Sequence, residues 1–321
     1  MSLRTTHHRS ENIALALLLA VAGMSAFTPI FAAGKLADGA LPVVVLVWLR
    51  FMGGAVTILS VAAVRRVPVF FRASALWKLH VLRAFCGVGG LGCVIYAASV
   101  LPLADATAIG LTKGIIAIVL AGLILKEVIS GRHWLSAGLC VLGALLIVRA
   151  ADTGSHDGEL ALAGVAAALA GAVFMACEAL IIRYIAQRED TVTILAYVNV
   201  FAAILLSGPV IWLIRSQGLD WTDLLAFAWL GPLAIVGQSL NISAYRRAGA
   251  ATLAPVYYCS LVLSAAFGFL VWGEVPTSVA VAGAGLIVAG GLVLTLPRPL
   301  PGSRRQLSRL FARNGRLSSR R

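Results

Sequence analysis

Apolar stretches of about twenty residues alternate with short polar breaks along this chain, and the alternation recurs ten times. The stretches fall at about 13–33, 41–63, 77–100, 103–125, 133–150, 160–182, 193–214, 222–244, 250–272 and 278–296. About twenty residues is what a helix needs to cross a bilayer. The runs are continuous and lack the period-two alternation of barrel strands, so the pattern predicts an all-α membrane protein with ten transmembrane helices. Most connections are too short to hold an extramembrane domain.

One stretch occurs twice, from Ala104 to Val148 and from Ala250 to Leu294. Superposed on Glu127 and Glu274, both copies continue with Val (Val128, Val275) and place a hydroxyl three residues on (Ser130, Thr277). Both then carry Gly at plus eleven (Gly138, Gly285) and plus sixteen (Gly143, Gly290). The duplication extends further: Ala22-Gly23 matches Ala170-Gly171, and Tyr96 matches Tyr245. The chain therefore divides into a tail at 1–12, a five-helix repeat at 13–150, a loop at 151–159, a second five-helix repeat at 160–296 and a basic tail at 297–321. Five is odd, so the second repeat enters the membrane inverted relative to the first. Inverted repeats place a site near the midplane where the halves meet. Glu127 and Glu274 then lie in hairpins at opposite faces, where a carboxylate is cheap and orders the loop or sets topology.

Composition agrees with lipid as the solvent: 60% of the 321 residues are hydrophobic and 12% are charged, with a mean hydropathy of +0.95. In that setting the net charge of +13 marks the cytoplasmic face. With the N-terminus inside, 20 of the 26 Lys and Arg fall on cytoplasmic segments, eight of them in the last tail. The opposite face receives Lys35, Arg149 and Arg215 with seven acids, Glu274 among them. Both termini are thus predicted to be cytoplasmic. The Arg-rich tail reads as an anchor to anionic lipid, each basic residue contributing about 1 kcal/mol near the surface, and no nucleic-acid partner is expected. The first apolar run is long and others follow it, so it reads as an uncleaved span. Cys86, Cys93, Cys140, Cys177 and Cys259 all fall in apolar runs and read as small buried hydrophobes.

Several segments carry a family likeness. PLADATAI at 102–109, LKE at 125–127, LIVR at 146–149, AP-x-x-Y at 254–258 and GEVP at 273–276 resemble the EamA branch of the drug/metabolite transporter superfamily. The resemblance implies ten spans in two five-span repeats. It also implies a carrier of amino acids, nucleoside- or vitamin-like metabolites or amphipathic drugs in the bacterial inner membrane. This chain departs from the pattern at Thr112-Lys113-Gly114, where similar proteins have a small residue followed by Pro. A charge replaces the helix-breaker.

An ionisable side chain within a span is costly and is a functional candidate by default. Arg50 and Lys113 lie near the middle of spans two and four, while Arg83 and Glu178 lie in the cytoplasmic thirds of spans three and six. Each has a bland alternative: an ion pair or carbonyl contact that locks helices, or snorkelling for Arg83 and Glu178. Glu178 is the acid well inside a span and the candidate for any proton-coupled step. Asn199, Gln238 and Asn241 are amides at depth, which either join helices or contact solute. Tyr257 and Tyr258 lie in span nine, Tyr258 at the AP-x-x-Y position, where it either meets solute or packs against span four. The ridges Gly138–Gly143 and Gly283–Gly290–Gly291 serve close packing, within the fold of a monomer or between the protomers of a homodimer.

No phosphate-binding loop and no metal-ligand spacing occurs in the sequence, so no cofactor, no metal and no enzymatic activity is expected. The reading is a secondary transporter of small metabolites, an exporter working by alternating access. Three cations against one acid within the spans point to amino acids or organic anions as substrates. An uptake carrier for a nucleoside- or vitamin-like metabolite stays open, as does a membrane-embedded enzyme or a structural membrane component.

Overall fold

The described residues of the computed structural model are 3–66, 75–125, 131–152, 158–185, 188–245, 247 and 258–295, and they fold as helices joined by short turns, without strands. In chain order the helices are α1 (Leu3–Phe31), α2 (Ala33–Leu36), α3 (Val43–Val64), α4 (Trp77–Val100), α5 (Leu103–Gly110), α6 (Lys113–Leu125), α7 (Gly131–Asp152), α8 (Gly158–Ile185), α9 (Thr191–Gln217), α10 (Trp221–Ala226), α11 (Leu230–Tyr245), α12 (Cys259–Trp272) and α13 (Ser278–Thr295).

Six stretches are long and apolar enough to cross a membrane: Ala14–Phe31, Val43–Val64, Trp77–Val100, Glu159–Ile182, Thr191–Gln217 and Trp221–Ala244. Trp134–Ile147, Cys259–Trp272 and Ser278–Val293 are shorter apolar helices. Large hydrophobic side chains face outward over these helices, among them Leu18, Trp134, Trp212, Val262 and Leu270, an arrangement that suits lipid and not water.

Local chemistry sets the boundaries. Pro42 and Pro102 sit at the N-caps of α3 and α5, where a missing N–H costs nothing. The Asp190 carboxylate accepts the Thr193 N–H at 3.0 Å and caps α9. At the C-termini of α9 and α12, Gly218 and Gly273 take the left-handed conformation, with φ of 62° and 68°.

Span four differs from its single predicted run. At Leu111–Thr112 the bonding tightens to i→i−3: the N–H groups of Thr112, Gly114 and Ile115 donate to Ile109, Leu111 and Thr112 at 3.0, 3.2 and 3.0 Å. The Thr112 hydroxyl also donates to the Ile109 carbonyl at 2.7 Å. Two segments result, α5 and α6, although Lys113 stands where a helix-breaker was expected. Such tightening marks a bend.

Packing crosses between the halves in a two-fold exchange. Helix α1 packs on α11 while α8 packs on α4, and α3, α5 and α7 pack on α9, α12 and α13. Glycines make the close approaches. A Cβ at Gly23 would stand 3.0 Å from the Gly237 carbonyl oxygen, and one at Gly171 would stand 3.2 Å from that of Gly90. In the α7–α13 contact, a Cβ on Gly143 would meet the Gly283 carbonyl at 2.5 Å, and one on Gly283 would meet that of Gly143 at 2.6 Å. The Ser136 hydroxyl donates to the Gly290 carbonyl at 2.6 Å beside them. Gly138 and Gly285 have nothing within 4 Å, so the ridge expected at Gly138 contributes only through Gly143.

Candidate functional site

The helices enclose a cavity of about 250 Å³, walled by side chains of α1, α3, α4, α5, α6, α8, α9, α11 and α12 and by Leu111 of the bend. Both halves of the chain contribute. Much of the wall is apolar, including Met24, Phe27, Phe31, Phe51, Leu91 and Met175. Into it project Arg50, Lys113, Glu178, Gln238 and Asn241, all singled out by the sequence, together with the hydroxyls of Thr28, Thr107, Ser260 and Ser264. An apolar cavity with a few convergent polar groups is the usual form of a small-molecule site.

The three cations are held differently. Arg50 is buried on α3, and its Nη1 donates to Asn199 Oδ1 at 2.9 Å while the guanidinium lies over the Phe51 ring, 4.0 Å from its centroid. Asn199 is fully buried and donates its own amide N–H to the Leu195 carbonyl at 2.7 Å. It does not line the cavity. Its part is to hold Arg50.

Arg83 sits behind the wall, with Nη1 donating to the Ile194 carbonyl at 3.1 Å and Nε 3.3 Å from Glu178 Oε1. Nε makes an ion pair there and no aligned hydrogen bond. Lys113 opens α6 and lines the cavity; its ammonium has the thioether sulfur of Met175 as hydrogen-bond partner, at 4.0 Å. Glu178 lies within electrostatic reach of all three cations. On the opposite side, Gln238 Oε1 and Asn241 Oδ1 are buried without a hydrogen-bond partner among the described residues.

Other sequence candidates lie elsewhere. The Tyr258 ring fills the space over Gly291, where a Cβ would collide with its hydroxyl and ring, so Tyr258 packs on α13 and is not among the residues that line the cavity. Tyr257 and Glu127 lie outside the described residues. Of the five cysteines expected to be buried, Cys86 and Cys140 are, Cys93 and Cys177 are half-buried, and Cys259 is exposed at the start of α12.

Glu274 does more than order its own loop. Its carboxylate pairs with Lys35 and accepts the Leu103 N–H at 2.9 Å, joining the segment after α12 to two segments of the first half. His80 and Asp105, buried near the starts of α4 and α5, were not among the sequence candidates; His80 meets Glu189 at 2.7 Å and stacks on Tyr197. The Thr107 hydroxyl donates to that of Ser264 at 2.9 Å at the cavity wall. Single hydroxyls on apolar helices give no sequence signal, because Ser and Thr are ordinary there.

The EamA-like transporter family matches residues 12–149 and again residues 162–296. The chain belongs to this family. A protein named pseudopaline exporter CntI from Pseudomonas aeruginosa is 31% identical over 283 residues, covering 87% of this chain and 95% of that one. A riboflavin transporter from Brucella anthropi is 27% identical over 223 residues, covering 67% of this chain and 75% of the relative. One solved crystal structure shares the fold, with a TM-score of 0.57 at 22% identity, covering 87% of this chain and 98% of that chain. The EamA-like protein is a multi-pass membrane transporter, and its cavity is the place to look for the solute.

Proposed function

We propose that the protein is a secondary transporter that exports small metabolites bearing a carboxylate or other anionic group across the bacterial inner membrane. The observation that carries this reading is the Lys113 ammonium, which lines an apolar cavity with a thioether as its hydrogen-bond partner among the described residues. A charge so placed is costly until an anion meets it. Arg50 presents a second cation that is fixed in orientation by Asn199 and Phe51. With Arg83 counted, three cations share one carboxylate, Glu178, a formal surplus of two positive charges. The exporter relative supports the direction.

In this reading the chain has ten transmembrane helices in two inverted repeats at 13–150 and 160–296, with both termini cytoplasmic. The halves rock about the cavity and expose it to each face in turn. The test is counterflow in proteoliposomes over a panel of amino acids, organic acids, pseudopaline and riboflavin. Anions are expected to exchange, and Lys113→Ala and Arg50→Ala to slow them. Unchanged anion exchange in both variants would sink the reading.

A vitamin-like solute is the second reading. It is favoured by Phe27 and Phe31, which stack at 5.9 Å and both line the cavity, as a flat heterocycle would require. Riboflavin exchange that is indifferent to Lys113→Ala would select it.

A further inference from the structure

We propose that Lys35, Glu274 and the Leu103 amide form a gate that closes the cavity at the end of the molecule carrying Lys35. The proposal rests on the transport reading above and adds the residues that must part for solute to pass on that side.

Glu274 follows the left-handed Gly273 at the end of α12, in the second half, whereas Lys35 belongs to α2 and Leu103 opens α5, both in the first half. One carboxylate therefore takes two partners from the opposite repeat. The Lys35 ammonium also lies 5.1 Å from the Trp272 ring centroid, which steadies it over the end of α12. Asp105, two residues into α5, adds a second acid within electrostatic reach of Glu274.

Beneath these contacts α5 meets α12 through Thr107 and Ser264, and both line the cavity. The stack runs from charged pair to hydroxyl pair to cavity. It is built on α5, a segment that the bend at Leu111–Thr112 sets apart from α6. A gate has to open repeatedly, and these contacts suit that. Lys35 and Glu274 keep 26% and 14% side-chain exposure, so the pair lies where water can reach both partners as they part.

The experiment needs no solute. All five cysteines are replaced, a reporter Val94→Cys is placed on the cavity wall, and its reaction with a membrane-impermeant methanethiosulfonate is timed from each face in right-side-out and inverted vesicles. With the gate intact, the reporter reacts slowly from the Lys35 face. E274Q loses the ion pair and weakens the Leu103 contact, and is expected to raise that rate about tenfold, the effect of about 1.4 kcal/mol. K35Q leaves Leu103 bonded to the carboxylate and raises the rate less. The double variant matches E274Q, because Lys35 acts through Glu274.

An unchanged rate in E274Q, or an equal rise from both faces, overturns the gate. K35Q repeats the test should E274Q fail to fold. Accessibility gated by Glu274 in a protein that exchanges no anion would leave the gate standing and remove the anion reading. Anion exchange with ungated accessibility would do the reverse.

Discussion

Lys113→Met separates a binding charge from a structural one. In the structure the Lys113 ammonium has a thioether sulfur at 4.0 Å as its hydrogen-bond partner, and Glu178 within electrostatic reach. Replacing it with a side chain of similar length removes no hydrogen bond to oxygen and removes the cost of a charge in an apolar wall. Folding stability should hold or rise. Replacing one member of a well-formed buried pair has the opposite effect, a loss of about 3–5 kcal/mol.

Binding should respond the other way. A charge-assisted contact to a carboxylate is worth about 1.5–3 kcal/mol, so the dissociation constant of an anionic solute should rise by roughly ten- to a hundredfold. At a solute concentration about 100 times the wild-type constant, ligand stabilisation is about 2.7 kcal/mol, and a hundredfold weaker variant retains about 0.4. At a few degrees per kcal/mol, a thermal shift of roughly 5 °C falls to under about 1 °C. The assay is thermal unfolding of the purified protein over a panel of amino acids, organic acids, nucleosides and vitamins. A variant that loses about 2 kcal/mol or more without ligand would make Lys113 structural. One that keeps the full shift with an anion would remove it from the site.

Other substitutions test the surrounding structure. Asn199→Leu leaves the Arg50 guanidinium buried without its acceptor and should cost about 2–3 kcal/mol in chemical unfolding, most of it recovered in the Arg50→Leu, Asn199→Leu double variant. Gly143→Ala forces a Cβ against the Gly283 backbone and should cost about 1–3 kcal/mol, whereas Gly138→Ala, with open space around it, should gain up to about 1 kcal/mol in the same assay. At Asp190, burial acts to raise the carboxyl pKa, but hydrogen bonds from Thr193 and from the Val192 and Thr193 amides prevail and lower it. A lowered folded pKa means that this cap stabilises above the unfolded value of about 3.9 and is lost as pH falls through the folded one. Asp190→Ala should therefore cost about 1 kcal/mol at pH 7 and less at pH 3.

Hydropathy alone made the helices legible, because an apolar run about twenty residues long has few other uses. Arg50, Lys113 and Glu178 were legible for a related reason: charge at depth must be explained. Partnerships were not. Nothing in sequence spacing says that Asn199 holds Arg50, or that Tyr258 turns toward Gly291, since both depend on how helices rotate against one another. Glu274 does lie in the loop expected of it, but that it joins the halves was not legible, because its partners, Lys35 and Leu103, lie more than 170 positions away. The repeat offsets carry Lys35, Leu103 and Glu274 onto Arg183, Ala250 and Glu127, so the charged set itself is duplicated in the sequence.

Those offsets also explain where the chemistry sits. At 147 residues, the spacing of Gly90 and Gly237 in the packing and not the 149 of Tyr96 and Tyr245, they relate Leu91 to Gln238, Val94 to Asn241 and Lys113 to Ser260, and at 148 they relate Ile30 to Glu178. All eight line the cavity. A wall built from equivalent positions of two repeats is what the two-fold exchange of packing requires, since the cavity then lies where the copies face each other. Yet in three of these four pairs one member is apolar and the other polar or charged, and in the remaining pair an ammonium faces a hydroxyl. Packing positions behave otherwise, with Gly23 and Gly171 or Gly90 and Gly237 keeping glycine in both copies because the close approach demands it on both sides. Phe27 and Met175, also related at 148, keep an apolar pair on the wall, so duplication preserved the residues that let the helices meet and part of the apolar lining while the polar positions diverged. A wall with Lys113 in one copy, Gln238 and Asn241 in the other, and Glu178 where the first copy has Ile30 therefore has no two-fold axis of its own.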